Sequence, residues 1–161
     1  MRRSTLLAAV MAGAAAAMFF AGIQGRARAH CEVPCGIYDD HARVRQMFED
    51  ARTIGKAVGE INALAGQLDA QSVNQAARWV ATKEDHATSI QHTIAQYFLC
   101  QRVKAVPAGS DGYDEYVRKL VEHHRVMVAA MKTKQTVDAA MVEDLRAAIE
   151  AIAVYYPDHE H

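Results

Sequence analysis

From Val44 onward, apolar side chains return every three or four positions, the period of a helix with one face turned to a core. Val44, Met47, Phe48, Ala51, Ile54, Val58, Ile61 and Leu64 make the first such stripe; Asp39 or Asp40 can cap it, and Gly66 and Asp69 mark a break after it. A second stripe predicts helix over 72–103, with Val73, Ala77, Val80, Ile90, Ile94, Tyr97 and Phe98 inward and a bend near Thr82. The stretch Val106-Pro107-Ala108-Gly109-Ser110-Asp111-Gly112 is an obvious loop. A third helix is predicted over 113–132, striped by Tyr116, Leu120, Val121, His124, Met127, Val128 and Met131. A fourth covers 137–156, with Met141, Leu145, Ala148, Ile152 and Tyr155 on one face. Strand patterns are nearly absent, and Pro107 and Pro157 fall where helices should stop. Short links between helices of similar length favour antiparallel neighbours. The pattern predicts an all-α chain, an antiparallel four-helix bundle over 39–161.

Ahead of the bundle the pattern changes. Residues 6–23 are almost unbroken in their apolar character, Arg2 and Arg3 precede them, and Ala27-Arg28-Ala29 has the form of an A-x-A cleavage site. Residues 1–29 therefore read as a cleaved signal peptide, with an uncleaved anchor as the alternative at this length. Arg2-Arg3 also fits a twin-arginine route, although Ser4-Thr5 lacks the usual hydrophobic follow-up. A lipoprotein signal fits poorly, because the bulky His30 precedes Cys31.

Cleavage changes the charge. The chain carries 18 basic and 19 acidic side chains, and four of the basic ones are the leader arginines Arg2, Arg3, Arg26 and Arg28. The remainder has 14 against 19, a net charge of −5 with histidines neutral. That acidity argues against nucleic acid or an anionic membrane as partner, and no membrane association is expected after cleavage.

Cleavage after Ala29 would also place an unusual set of donors at the new terminus: His30-Cys31-Glu32-Val33-Pro34-Cys35-Gly36-Ile37-Tyr38. The spacing of Cys31 and Cys35 alone fits either a small disulfide loop or a thiolate pair. A free His30 amine favours the second. The amine and the Cys31 amide nitrogen can close a five-membered chelate, and the Cys31 thiolate closes another on the same amide. Pro34 and Gly36 can turn the chain so that Cys35 returns as a fourth donor. A flat set of two nitrogens and two thiolates suits Ni(II) or Cu(II), whereas zinc prefers a tetrahedron. The His30 imidazole can add axially, and Tyr38 is placed to overhang the open face. Cys100, in Tyr97-Phe98-Leu99-Cys100, reads as a buried small hydrophobe.

Other chemistry is poorly supported. Glu122, His123 and His124 lack the paired Glu-x-x-His spacing of a di-iron bundle. Lys83-Glu84-Asp85-His86 reads as a solvated face, and His41, His92, His123 and His124 as surface or satisfied core histidines. His159 and His161 belong to an acidic tail.

Residues 30–38 resemble the metal-binding hook of nickel-containing superoxide dismutases at His30, Cys31, Pro34, Cys35, Gly36 and Tyr38. The helical remainder, with Lys83 and Glu84 ahead of the middle of the second helix, is similar more loosely. The resemblance implies one nickel ion per subunit, held by the amine and side chain of His30, the amide and thiolate of Cys31, and the thiolate of Cys35, with Tyr38 as gate. It implies disproportionation of superoxide to dioxygen and hydrogen peroxide with Ni(II)/Ni(III) cycling, a homohexamer, and a cis peptide before Pro34. The chain departs from some members where a glutamate orients the axial imidazole. Here that region reads Arg43-Val44-Arg45-Gln46, and His86 is the candidate substitute. Tyr97 is a candidate second gate, explained equally by core packing. The expectation is an exported enzyme, periplasmic or secreted. The competing expectations are an exported protein that sequesters Ni or Cu with the same hook, and a helical domain with a Cys31–Cys35 disulfide.

Overall fold

The computed structural model describes residues 39–158. The leader 1–29, the hook 30–38 and the bond before Pro34 lie outside the described residues. Four helices follow one another: α1 (Asp40–Ala63), α2 (Ala70–His92), α3 (Tyr113–Gln135) and α4 (Ala139–Ala153). A π-helical segment, Thr93–Arg102, continues α2 without a break. Among the described residues no helix is long and apolar enough to cross a membrane.

Local chemistry sets the ends. The Asp39 carboxylate accepts from the His41 amide at 2.8 Å, Asp69 from Gln71 and Ser72 at 3.1 and 3.0 Å, and Asp138 from Ala140 at 2.9 Å. Each satisfies amides that the first helical turn leaves unpaired. α3 starts instead from Gly112, whose φ of 85° lies in the left-handed region that favours glycine. Its acidic first turn, Asp114 and Glu115, complements the helix dipole.

The helices pack in a closed ring, each on its sequence neighbours and α4 against α1. Cross-helix contacts give the direction. Asp40 meets Arg102 and Asp50 meets His86, so α1 runs opposite to α2. Lys83 meets Thr133 and Gln91 meets Met127, which sets α2 against α3. Glu122 meets Tyr155 while Asn62 meets Val137, completing the antiparallel set. The core lies along the axis, with Met47, Ile54, Ile90, Phe98, Leu145 and Ile149 fully buried.

The α1 stripe is buried at Val44, Met47, Ala51, Ile54 and Val58, as its periodicity predicts. Elsewhere the inward faces need correction. Val73, Ala77 and Val80 face solvent, the two valines at 52% and 43% exposure. In that half of α2 the interior position goes to Lys83, 4% exposed, whose ammonium donates to the carbonyls of Thr133, Lys134 and Thr136 at 2.8, 2.8 and 2.9 Å. The basic residue of the Lys-Glu pair thus caps the C-terminal end of α3. On α3 the buried face is His123, Val126, Ala129, Ala130 and Thr133, while Val121, His124 and Met131 are exposed. Cys100 is exposed rather than buried. The helical irregularity falls at Thr93 and not near Thr82: the Val103 amide reaches back to the Phe98 carbonyl at 2.9 Å, the longer π step.

Candidate metal centre

The sequence-predicted donors His30, Cys31 and Cys35 and the gate Tyr38 lie outside the described residues. Among the described residues no group of three or more His, Cys, Asp or Glu side chains is placed to hold a metal ion. The donor set expected from the sequence, an amine, an amide and two thiolates, would fit nickel or copper and suit zinc poorly.

The chain enters α1 at Asp39, and around that end several polar side chains converge. Tyr97 donates its phenol proton to Asp40 Oδ1 at 2.6 Å, and the Arg102 guanidinium pairs with Oδ2 of the same carboxylate. Desolvation, reinforced by the Asp40 carboxylate, pushes the Tyr97 phenol well above its ordinary value of 10, so it remains a donor at neutral pH. His41 Nδ1 donates to the Tyr156 carbonyl at 3.1 Å, which ties the start of α1 to the end of α4. Tyr97 is 9% exposed with its ring edge on Phe98. It serves as a packed strut at this end of the bundle.

A second polar cluster sits between α1 and α2. Asp50, 2% exposed, accepts from His86 Nδ1 at 2.7 Å, Ser89 Oγ at 3.1 Å and Gln46 Nε2 at 3.4 Å. A buried carboxylate needs such donors, since water cannot reach it. The His86 side chain is 36% exposed, and its Nδ1 is fixed by Asp50. Carboxylate–imidazole pairs of this kind orient and strengthen a histidine. The solvated-face reading of this stretch holds for Asp85 but not for Lys83 or His86. Asp50 escaped sequence reasoning, although it falls on the apolar stripe beside Met47, Ala51 and Ile54.

His123 is a satisfied core histidine, as expected. Its Nδ1 lies 2.7 Å from the Lys119 carbonyl and must carry the proton; Nε2 therefore accepts from the Tyr156 hydroxyl at 2.9 Å. Burial pushes its pKa below the ordinary 6.5 and keeps the ring neutral. His41 and His86 are half-buried in the polar contacts above, and His92 and His124 are exposed.

The model of the family described as nickel-containing superoxide dismutase matches residues 25–160. That span takes in residues 30–38 and all four helices. Comparison with curated proteins gives no match, and neither does comparison with solved structures. A match over most of the chain, with a four-helix arrangement beside it, means that this chain belongs to the nickel-containing superoxide dismutase family, a family of oxidoreductases.

Proposed function

We propose that the chain is an exported nickel superoxide dismutase whose metal centre is built from the first residues of the mature protein. The observation that carries this reading is the family match, which covers residues 25–160 and so includes His30 to Tyr38. The amine and imidazole of His30, the amide and thiolate of Cys31 and the thiolate of Cys35 would hold one nickel ion per subunit. Bound there, nickel supplies a one-electron couple that superoxide can both reduce and oxidise. Tyr38 would hydrogen-bond the anion and limit access by size. The Asp50–His86 pair is the positioning element for the His30 imidazole. This role is supported by a partly exposed ring held through Nδ1 by a buried carboxylate.

Cleavage after Ala29 would both export the chain and release the amine, so secretion and maturation become one event. A homohexamer belongs to the same reading. It is supported by the exposed apolar side chains Val73, Val80, Val121 and Met131 on α2 and α3, which a single chain leaves uncovered.

The test is nickel titration of the mature chain with superoxide decay as readout. One nickel per subunit with catalysis is expected, and Cys31→Ser or Cys35→Ser should abolish both. Nickel bound tightly without turnover would favour a sequestering protein instead.

A further inference from the structure

α3 carries two apolar faces. One is the buried face of His123, Val126, Ala130 and Thr133 that closes the bundle. The other looks outward: Val117, Val121, His124, Val128 and Met131 recur at spacings of four, three, four and three, the seam of a helix that packs on another helix. Val117, Val121 and Met131 are 37, 52 and 40% exposed. The four-helix fold leaves this second seam uncovered, and apolar residues scattered singly over a surface do not fall into such a period. α4 offers smaller side chains on the same layer, where Ala147, Ala151 and Val154 form an exposed stripe at spacings of four and three. Between the two helices runs a groove of about 620 Å³, floored by Val128, Ala129, Ala147, Ala148 and Ala151. Its rim is charged by helix: Arg125 and Lys132 come from α3 and Asp144 from α4. Among the described residues none of these three has an ion-pair partner, whereas Glu122, also on the rim, is already bound to Tyr155.

We propose that the α3–α4 layer is a contact between two copies of the chain, related by a two-fold axis parallel to the helices, with α3 of each copy lying antiparallel on α4 of the other. Shape selects this pairing, because the bulky seam of α3 seats against a row of alanines more closely than against a second bulky seam. Charge selects it too. Arg118, Arg125 and Lys132 flank the α3 seam seven residues apart. Packing α3 antiparallel on its own copy would set these cations against one another, whereas α4 presents Asp144 and the exposed Glu143 and Glu150. The levels along the bundle agree. Glu122 meets Tyr155 between antiparallel helices of equal rise, so ten residues further on Lys132 stands level with Leu145, beside Asp144. A two-fold axis along the helices preserves level, so Lys132 of each copy faces Asp144 of the other and the contact contains this pair twice. His124 is the polar member of the seam and weakens the contact, as a polar residue at such a position does. The contact needs neither nickel nor the hook. It goes beyond the homohexamer read above by naming one interface, and it holds equally for a dimer.

Sedimentation velocity of the mature chain at matched concentrations, with and without nickel, tests this. Val121→Glu combined with Val128→Glu should at least halve the wild-type molar mass while far-UV circular dichroism shows an intact bundle. An unchanged mass would overturn the proposal, as would a wild-type chain that stays monomeric at its highest soluble concentration. Should that variant fail to fold, a charge swap at two exposed positions decides. Lys132→Glu alone and Asp144→Lys alone should each associate several-fold more weakly than wild type, because like charges then meet at both pairs. An equimolar mixture of the two should recover wild-type association, since every pair in the mixed assembly is again of opposite sign. A mixture that associates no better than its components would overturn the pairing of α3 with α4. A wild-type dimer that these variants dissociate would contradict the hexamer and uphold the contact.

Discussion

Replacing Lys83 by Met removes a charge while keeping most of the side chain's length and volume. The ammonium is 4% exposed at the residue level and donates to three carbonyls within 2.9 Å. The Thr133 carbonyl is buried and would lose its partner outright, at about 1–3 kcal/mol, while those of Lys134 and Thr136 can reach water. Losing a cation at the C-terminal end of α3 costs about a further 1 kcal/mol. The ammonium's own desolvation, which lowers its pKa, is relieved and offsets part of the loss. The net expectation is about 2–3 kcal/mol, or about 8–12 °C in Tm for a domain of about 120 residues. Far-UV circular dichroism melts at fixed protein concentration would measure it, with exposed Asp85→Asn as the neighbour expected to stay within about 0.5 kcal/mol. A shift for Lys83→Met no larger than that control's would refute the capping argument.

His123 should impose a pH dependence on stability. Its folded pKa is depressed by burial, so as pH falls the unfolded chain takes up a proton near 6.5 that the folded ring refuses. Its contribution is whole above that pH and falls below it, by up to about 1.4 kcal/mol per pH unit. Urea midpoints across the range should show a shallower acid slope in His123→Asn than in wild type, and identical slopes would contradict the assignment. His86→Ala should lower superoxide turnover by about 10–100-fold with the bundle still folded, the usual effect of removing a ligand's support. His86→Gln, which can still bond Asp50, should recover part of the loss and restore the electronic spectrum of bound nickel. No recovery in either readout would argue that His86 matters only for packing.

The sequence made the four helices and the α1 stripe legible because large aliphatic residues there alternate cleanly with charge. α3 was harder. It carries Val117, Val121, Val126, Met127, Val128 and Met131 around most of its circumference, so hydropathy alone cannot pick the inward face. The buried side is marked instead by small Ala129 and Ala130 and by hydrogen-bonded His123 and Thr133. The α2 error has a related cause: Lys83 outcompetes the nearby valines for the interior because the end of α3 needs its charge. Cys100 was misplaced because its residue type and apolar neighbours suggest burial, whereas only Tyr97 and Phe98 of that run turn inward and the cysteine lies on the exposed side. Of the candidate site, the proposed ligands His30, Cys31 and Cys35 rest on the sequence, because they lie outside the described residues. The pairing of Asp50 with His86 depends on the register between two helices, which no local pattern encodes.

The central claim is that the mature α-amine of His30 is a nickel ligand in a superoxide dismutase. It is tested most directly by loading nickel into a chain that begins at His30 and into the same chain with one extra residue before it, then following superoxide decay. Activity confined to the chain that begins at His30 is the predicted result. Equal activity in both would contradict the account.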